Sequence, residues 1–536
     1  MDRSSRDGLE LVGFAGVRDA VVRRESASAR ASARSLAATL LVSVGLAVGC
    51  GPSGGADGGA ETDSGVRDAT FDAWTFDVGV DANGDAGGAD EGGVDGGADA
   101  RIDAAGFDAG PVDESERRPG GDTTTSVLGV GAFVQPAANL SLLRRSDFEA
   151  GLQFFQLDWV PAPGSPPESD GLGPTFNAAS CLSCHARNGR AVPGDAPNAG
   201  VGVLVRLGTL DHSPDPRYGD QLQPFGVAGV PGEARVEYAW EIVREVVLPG
   251  GQRVVLRRPT YALRSLAHGP LAEGVGLSPR TSPHLLGQGL LEAVPESVLE
   301  EWHDPDDRDG DGVSGRLPRL PDGSVGRFGW KSAQPTVEAQ TAAAFLGDLG
   351  LTSPMFPTEN CPEAQAACRA SPSGGSPELP AVRLRVTSAY VRLLGVPARR
   401  DPDAPQVLAG RALFRAIGCA SCHRPNLETG DAEEPELAHQ TIWPYSDLLL
   451  HDLGEGLADD VAEGDAAPAE WRTPPLWGLG LVPEVNGALA LLHDGRAHTW
   501  EEAILWHDGE AEAARATYET LSAGDRAAIA AFLASL

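Results

Sequence analysis

Two Cys-x-x-Cys-His segments, Cys181-Leu-Ser-Cys184-His185 and Cys419-Ala-Ser-Cys422-His423, constrain this chain more than any other feature. Two thiols at that spacing can add to the two vinyl groups of haem, and the adjacent His then reaches the iron from the proximal side. With seven Cys and eleven His among 536 residues, two such segments do not arise from random placement. A zinc half-site would want its His displaced along the chain, and a thioredoxin-like dithiol would sit on a βαβ unit. Neither context surrounds these segments. The expectation is therefore two covalently attached c-type haems, with Cys181, Cys184, Cys419 and Cys422 as attachment points and His185 and His423 as iron ligands.

Export is consistent with that chemistry. Residues 1–50 read as a signal: Arg23, Arg24, Arg30 and Arg34 precede the apolar run Leu36 to Val48, and small residues follow up to Cys50. The run is too short to span a bilayer comfortably. Leu46-Ala-Val-Gly-Cys50 resembles a bacterial lipobox, although Leu46 stands one place farther from the Cys than usual. Acylation of Cys50 and ordinary cleavage are the two readings. An otherwise unpaired thiol in an oxidising compartment favours acylation. The expected location is the periplasm or outer membrane, with a lipid anchor as the only membrane contact. Residues 51–120 carry seventeen acidic and four basic residues among Gly and Ala, accounting for −13 of the formal −34 charge. Such a stretch cannot bury enough apolar surface to order itself, and reads as a solvated tether. The acidic balance excludes nucleic acid as a natural partner and is compatible with a basic redox partner protein.

The remainder reads as mainly α, with two cytochrome c-like domains over residues 121–400 and 401–536. Phe148-Glu-Ala-Gly151-Leu-Gln-Phe154 and Leu408-Ala-Gly410-Arg-Ala-Leu-Phe414 place apolar residues at helical spacing around a Gly, each ahead of one Cys-x-x-Cys-His. A final helix with Ser522 as N-cap and Asp525 in its first turn closes the chain. Two β-prone stretches flanking Pro249-Gly250-Gly251 predict a hairpin inserted into the first domain. Asp307-Arg-Asp309-Gly-Asp311-Gly312 resembles the opening of a calcium loop, but Pro318 stands where its bidentate Glu would be. Calcium and a solvated Asp-Gly turn are both open. Cys361 and Cys368 are expected as a disulfide, with a redox dithiol as the alternative.

Several longer segments carry a family resemblance: Gly171-Leu-Gly-Pro-Thr-Phe-Asn-Ala-Ala-Ser-Cys181, Trp443-Pro-Tyr-Ser-Asp-Leu-Leu-Leu-His-Asp-Leu-Gly454, Glu470-Trp-Arg-Thr-Pro-Pro-Leu-Trp-Gly-Leu-Gly480 and Leu492-His-Asp-Gly-Arg-Ala497. From about Thr123 onward the chain resembles the di-haem oxidoreductases, described as peroxidases or thiol oxidoreductases. It is more distantly similar to bacterial di-haem cytochrome c peroxidases. The resemblance implies Trp330 as the conduit between haems, with Gln340 following at the family's spacing. It implies His507 as the second iron's further ligand, at a position where the peroxidases carry Met, and His268 for the first iron, with Tyr261 or an open iron as competitors. The peroxidases' acid-base Glu corresponds to Gly350; Asp348 and Glu359 are the nearby carboxyls. His451 and His493, in shared His-Asp motifs, are candidates to orient a propionate or donate a proton, against structural hydrogen bonding to backbone. The implied activity is reduction of peroxide or oxidation of a small-molecule substrate, with electrons from a redox protein or small donor; a pure electron carrier is the competing class.

Overall fold

Six helices organise the molecule: α1 (Leu142–Gln156), α2 (Val337–Leu349), α3 (Ala381–Arg392), α4 (Pro405–Ala416), α5 (Trp500–Trp506) and α6 (Ala523–Ser535). The computed structural model describes residues 110–165, 168–194 and 199–536. The export signal with Cys50, and the tether as far as residue 109, lie outside the described residues.

Each Cys-x-x-Cys-His segment is entered by one helix and closed by another, built in the same way. Helix α1, capped by Ser141, buries Phe148, Gly151 and Phe155 against α3. Phe148 and Phe155 place their rings 4.7 and 5.1 Å from Tyr390 of α3. Helix α4, with Pro405 in its first turn, buries Gly410, Leu413 and Phe414 against α6, where Phe414 meets Phe532 at 5.1 Å. The Gly at each crossing is a steric requirement. A Cβ on Gly151 would overlap the Val386 carbonyl, and one on Gly410 the Ala528 carbonyl. Ser522 caps α6 as expected, accepting the Asp525 amide at 3.1 Å.

The architecture is mixed, with 32% helix and 17% strand. A mainly α expectation with one inserted hairpin captures the helices and that hairpin and misses the five other, small sheets among the described residues. The three-stranded sheet has β1 (Val203–Gly208) at its centre, between Gln221–Leu222 and the later strand Gly276–Thr281. The predicted hairpin is present and long: β2 (Arg235–Val247) pairs antiparallel with β3 (Arg253–Arg264), and Gly250 and Gly251 make the turn at positive φ. Its far end does not simply decorate the first haem segment. Val246, Leu248, Val254 and Leu256 share a core with Leu413, Phe414, Trp506 and Phe532, because alternate apolar residues at that end point to one face.

Two further features differ from the composition-based reading. The largest core combines Phe133, Phe148 and Tyr390 with Trp477, Leu481 and Val485, so it crosses the expected boundary near residue 400. Residues 111–120 belong to the folded body rather than to the tether. Glu116 is fully buried, pairs with Arg399 and Arg411, and accepts the Tyr445 hydroxyl at 2.7 Å. Composition averages over a window and cannot register one carboxylate with three buried partners. Cys361 and Cys368 form the expected disulfide, Cα atoms 5.6 Å apart.

Gly410→Ala should force α4 away from α6 and cost about 1–3 kcal/mol, read as a lowered denaturant midpoint with an unchanged slope.

Candidate functional site

Each Cys-x-x-Cys-His segment opens onto a large cleft. The first is lined by Cys181, Cys184 and His185; the second by Cys419, Cys422 and His423. All four thiols are free. Burial pushes Cys181, Cys184 and Cys419 up to about 12, so with the clefts empty they are neutral thiols.

The two histidines are held identically. His185 Nδ1 bonds the Pro283 carbonyl and His423 Nδ1 the Tyr445 carbonyl, each at 2.9 Å. That bond selects the tautomer with Nδ1–H and leaves Nε2 as a lone-pair donor. Burial lowers both imidazoles to about 4, so they are neutral at pH 7, as iron ligation requires. Phe155 and Phe414 stand 6.4 and 6.2 Å from the respective rings. Paired free thiols, a neutral oriented imidazole and an adjoining apolar cleft fit haem at both places.

Six residues line both clefts: Arg190, His284, Trp330, Arg472, Pro474 and Pro475. Trp330 therefore stands in the wall between them, as the resemblance implies. Its indole N–H donates to the Thr281 carbonyl at 2.8 Å, and the Arg190 guanidinium lies 5.4 Å from its ring. Beside it, Lys331 is fully buried; Nζ donates to the Ala467 and Pro468 carbonyls and meets Asp459 at 3.2 Å.

Gln340 and Asp348, both on α2, line the first cleft. Asp348 is half-buried, accepts a hydrogen bond from Gln221 at 2.8 Å, and has its carboxyl raised chiefly by desolvation. Gly350 ends α2 at φ +72, and a Cβ there would crowd Gly173 and the Thr175 carbonyl; this helix end has no room for the peroxidases' Glu. Glu359 lines neither cleft.

His507, directly after α5, lines the second cleft. Its Nδ1 bonds the Ala503 carbonyl at 2.7 Å, burial lowers its pKa, and it is near enough to depress His423. His451 and His493 also line this cleft but in opposite states. His451 is held between Asp447 at 2.9 Å and Glu510 at 2.7 Å, with Cys422 Sγ at 3.5 Å. Buried as it is, the Asp447 carboxylate keeps it charged, well above the usual imidazole range. His493 stacks on Trp471 at 3.9 Å and is pushed down to about 3 by burial. Its role in the fold is aromatic packing.

His268 is not among the residues lining either cleft. It packs on Tyr218, ring centroids 5.7 Å apart, because the loop after the hairpin folds back onto the small sheet. Tyr261 likewise lies outside, its ring tilted against Tyr238 across the hairpin, centroids 5.9 Å apart. The imidazole that structure adds is His284, next to the Pro283 that holds His185. Nothing in spacing singles out His284 or Arg190; Arg472 stands in the Trp-Arg-Thr-Pro-Pro segment without a spacing that declares its role. Asp307, Asp309 and Asp311 bring carboxylate oxygens within 4.8 Å of one another. They also accept amides of their own loop, such as Val313 N on Asp311 at 2.9 Å, so calcium and the solvated turn share this geometry.

Residues 114–207 and 264–536 match the family described as "di-haem oxidoreductase, putative peroxidase". The gap holds nearly all of the hairpin. No curated protein matches. A solved structure of Kuenenia stuttgartiensis hydrazine synthase is similar at 14% identity, covering 77% of this chain and 99% of that one, with a TM-score of 0.28. So loose a superposition carries no argument.

The charged state of His451 yields a pH test. Its pKa is raised on folding, so the pair with Asp447 stabilises fully below the ordinary imidazole value near 6.5 and is lost as pH rises through the higher folded value. Asp447→Asn should move that loss toward neutral pH and cost about 3 kcal/mol, measured as unfolding free energy at pH 5.5 to 9.

Proposed function

Because the chain belongs to the di-haem oxidoreductase family, we propose that it is a c-type, peroxidase-like enzyme that passes electrons between two covalently bound haems. Cys181, Cys184 and His185 hold one haem, and Cys419, Cys422 and His423 the other. When bound, haem supplies a one-electron couple and, at an iron with an open position, a place for a small ligand.

The observation that carries this reading is the asymmetry of the clefts. The second presents His507 together with His423, both with Nδ1 tied to a backbone carbonyl and Nε2 left free. With haem bound there, His507 would be the second imidazole available to the iron in place of a thioether, which would lower the reduction potential and leave no position for substrate. In the first cleft, the lining histidine besides His185 is His284 of the dividing wall, and Gln340 and Asp348 face the space. Asp348, kept toward its neutral form by burial, can hand a proton to a reacting oxygen, and Gln340 can orient it. Trp330, lining both clefts, is the electron route. The substrate is peroxide or another small molecule, and the electron donor a redox protein or small reductant. Haem attachment outside the cytoplasm matches export and a lipid anchor at Cys50. The competing reading, an electron carrier with both irons six-coordinate, is favoured by Gly350 at the peroxidases' Glu position.

Pyridine haemochrome should give two haems per chain, and one in the Cys419→Ser/Cys422→Ser double variant. One ferric haem should be high-spin and bind cyanide; two inert low-spin haems would establish the carrier instead. His507→Gly should open the second haem to cyanide, with added imidazole restoring its low-spin spectrum.

A further inference from the structure

Three of the residues lining both clefts present polar nitrogens: the guanidinium groups of Arg190 and Arg472, and His284, whose imidazole is kept neutral, pushed down to about 3 by burial and by Arg190. They are 6%, 4% and 7% exposed. Arg190 donates to the Ala490 and Leu492 carbonyls at 2.9 and 2.7 Å. Arg472 donates to the Gly329 and Thr473 carbonyls at 3.1 and 3.3 Å. Among the described residues neither guanidinium has a carboxylate within ion-pair distance, and Asp447 acts on Arg472 only from farther off. His284 Nδ1 is buried with no partner.

Arg327, away from both clefts, is likewise bonded to carbonyls, those of Leu291 and Val294, but five other buried arginines are treated differently. Arg280 meets Asp459 and Glu463, Arg392 meets Glu292, Arg399 and Arg411 meet Glu116, and Arg496 meets Asp494. A guanidinium cannot relieve burial by losing its proton, so an unpaired one calls for an anion. Its planar fork matches a carboxylate.

We propose that Arg190, His284 and Arg472 form one carboxylate-binding site shared by the two clefts, which takes propionate groups of the haems on both sides. The inference rests on the di-haem reading. Its consequence is electrostatic: cations common to both haems favour the reduced state of each, so the two potentials are set together. Arg206 borders only the first cleft and Arg515 only the second, which supplies controls.

The test is spectroelectrochemical titration of the purified holoprotein and of Arg472→Gln, Arg190→Gln, Arg206→Gln and Arg515→Gln, with haem counted in each. Arg472→Gln and Arg190→Gln should weaken reduction of both haems at least tenfold, about 59 mV for one electron. Arg472→Lys should restore part of the shift, and the two controls should move at most the haem of their own cleft. Arg472→Gln decides alone if Arg190→Gln does not accumulate. Variants that keep two haems but shift one potential, or neither, overturn the shared site and leave the di-haem reading intact. Wild-type protein without two haems overturns both. Potentials that respond to added acetate in wild type, but not in Arg472→Gln, assign the site to a solute carboxylate and overturn the propionate assignment.

Discussion

Four consecutive residues, Thr281 to His284, tie the two clefts to one another. The Thr281 carbonyl accepts the Trp330 indole, and its amide donates to the His493 carbonyl at 2.7 Å. Ser282 Oγ donates to the Cys184 carbonyl at 2.7 Å, and the Pro283 carbonyl accepts His185. His284 lies in the dividing wall. Each such bond contributes about 1 kcal/mol net, but a buried donor left without its acceptor costs more. The segment therefore registers His185, the aromatic wall and the second cleft against a single stretch of backbone.

Charge is distributed unevenly around this spine. His451, close to the second haem segment, is an imidazolium between Asp447 and Glu510. His185 and His423, both half-buried, and the buried His493 are neutral. The same side chain thus stands as a cation in one place and as a neutral ring in the others, according to the balance of burial against nearby charge. In the wall the balance is reversed, because Arg190 and Arg472 are buried beside carbonyls alone. These local differences distinguish two clefts that begin from the same five-residue motif.

The hairpin shows how a segment can lie outside the family's matched residues and still be integral. Its tip residues share a core with α4, α5 and α6, and Trp240 meets His498 edge-on at 5.6 Å. Arg244 of β2 pairs with Glu519 ahead of α6. Long β-pairing from one part of the chain is thereby coupled to packing of the helices around the second haem segment.

Local chemistry was legible in the sequence. Cys-x-x-Cys-His needs no distant partner to be read, and neither do Gly151 and Gly410 at helix crossings, the Ser522 cap or the Pro-Gly-Gly turn, since spacing and backbone conformation act over a few residues. Trp330, Gln340 and His507 could be read only through resemblance, and they do line the clefts. What tertiary structure alone decided are the long-range pairings: Glu116 with Arg399 and Arg411, His451 with Glu510, the hairpin tip in the second core, and His284 rather than His268 at the first cleft. The physical reason is that burial and charge compensation depend on distance through space. Residues hundreds of positions apart set one another's charge and orientation, and no local pattern encodes which of them will meet.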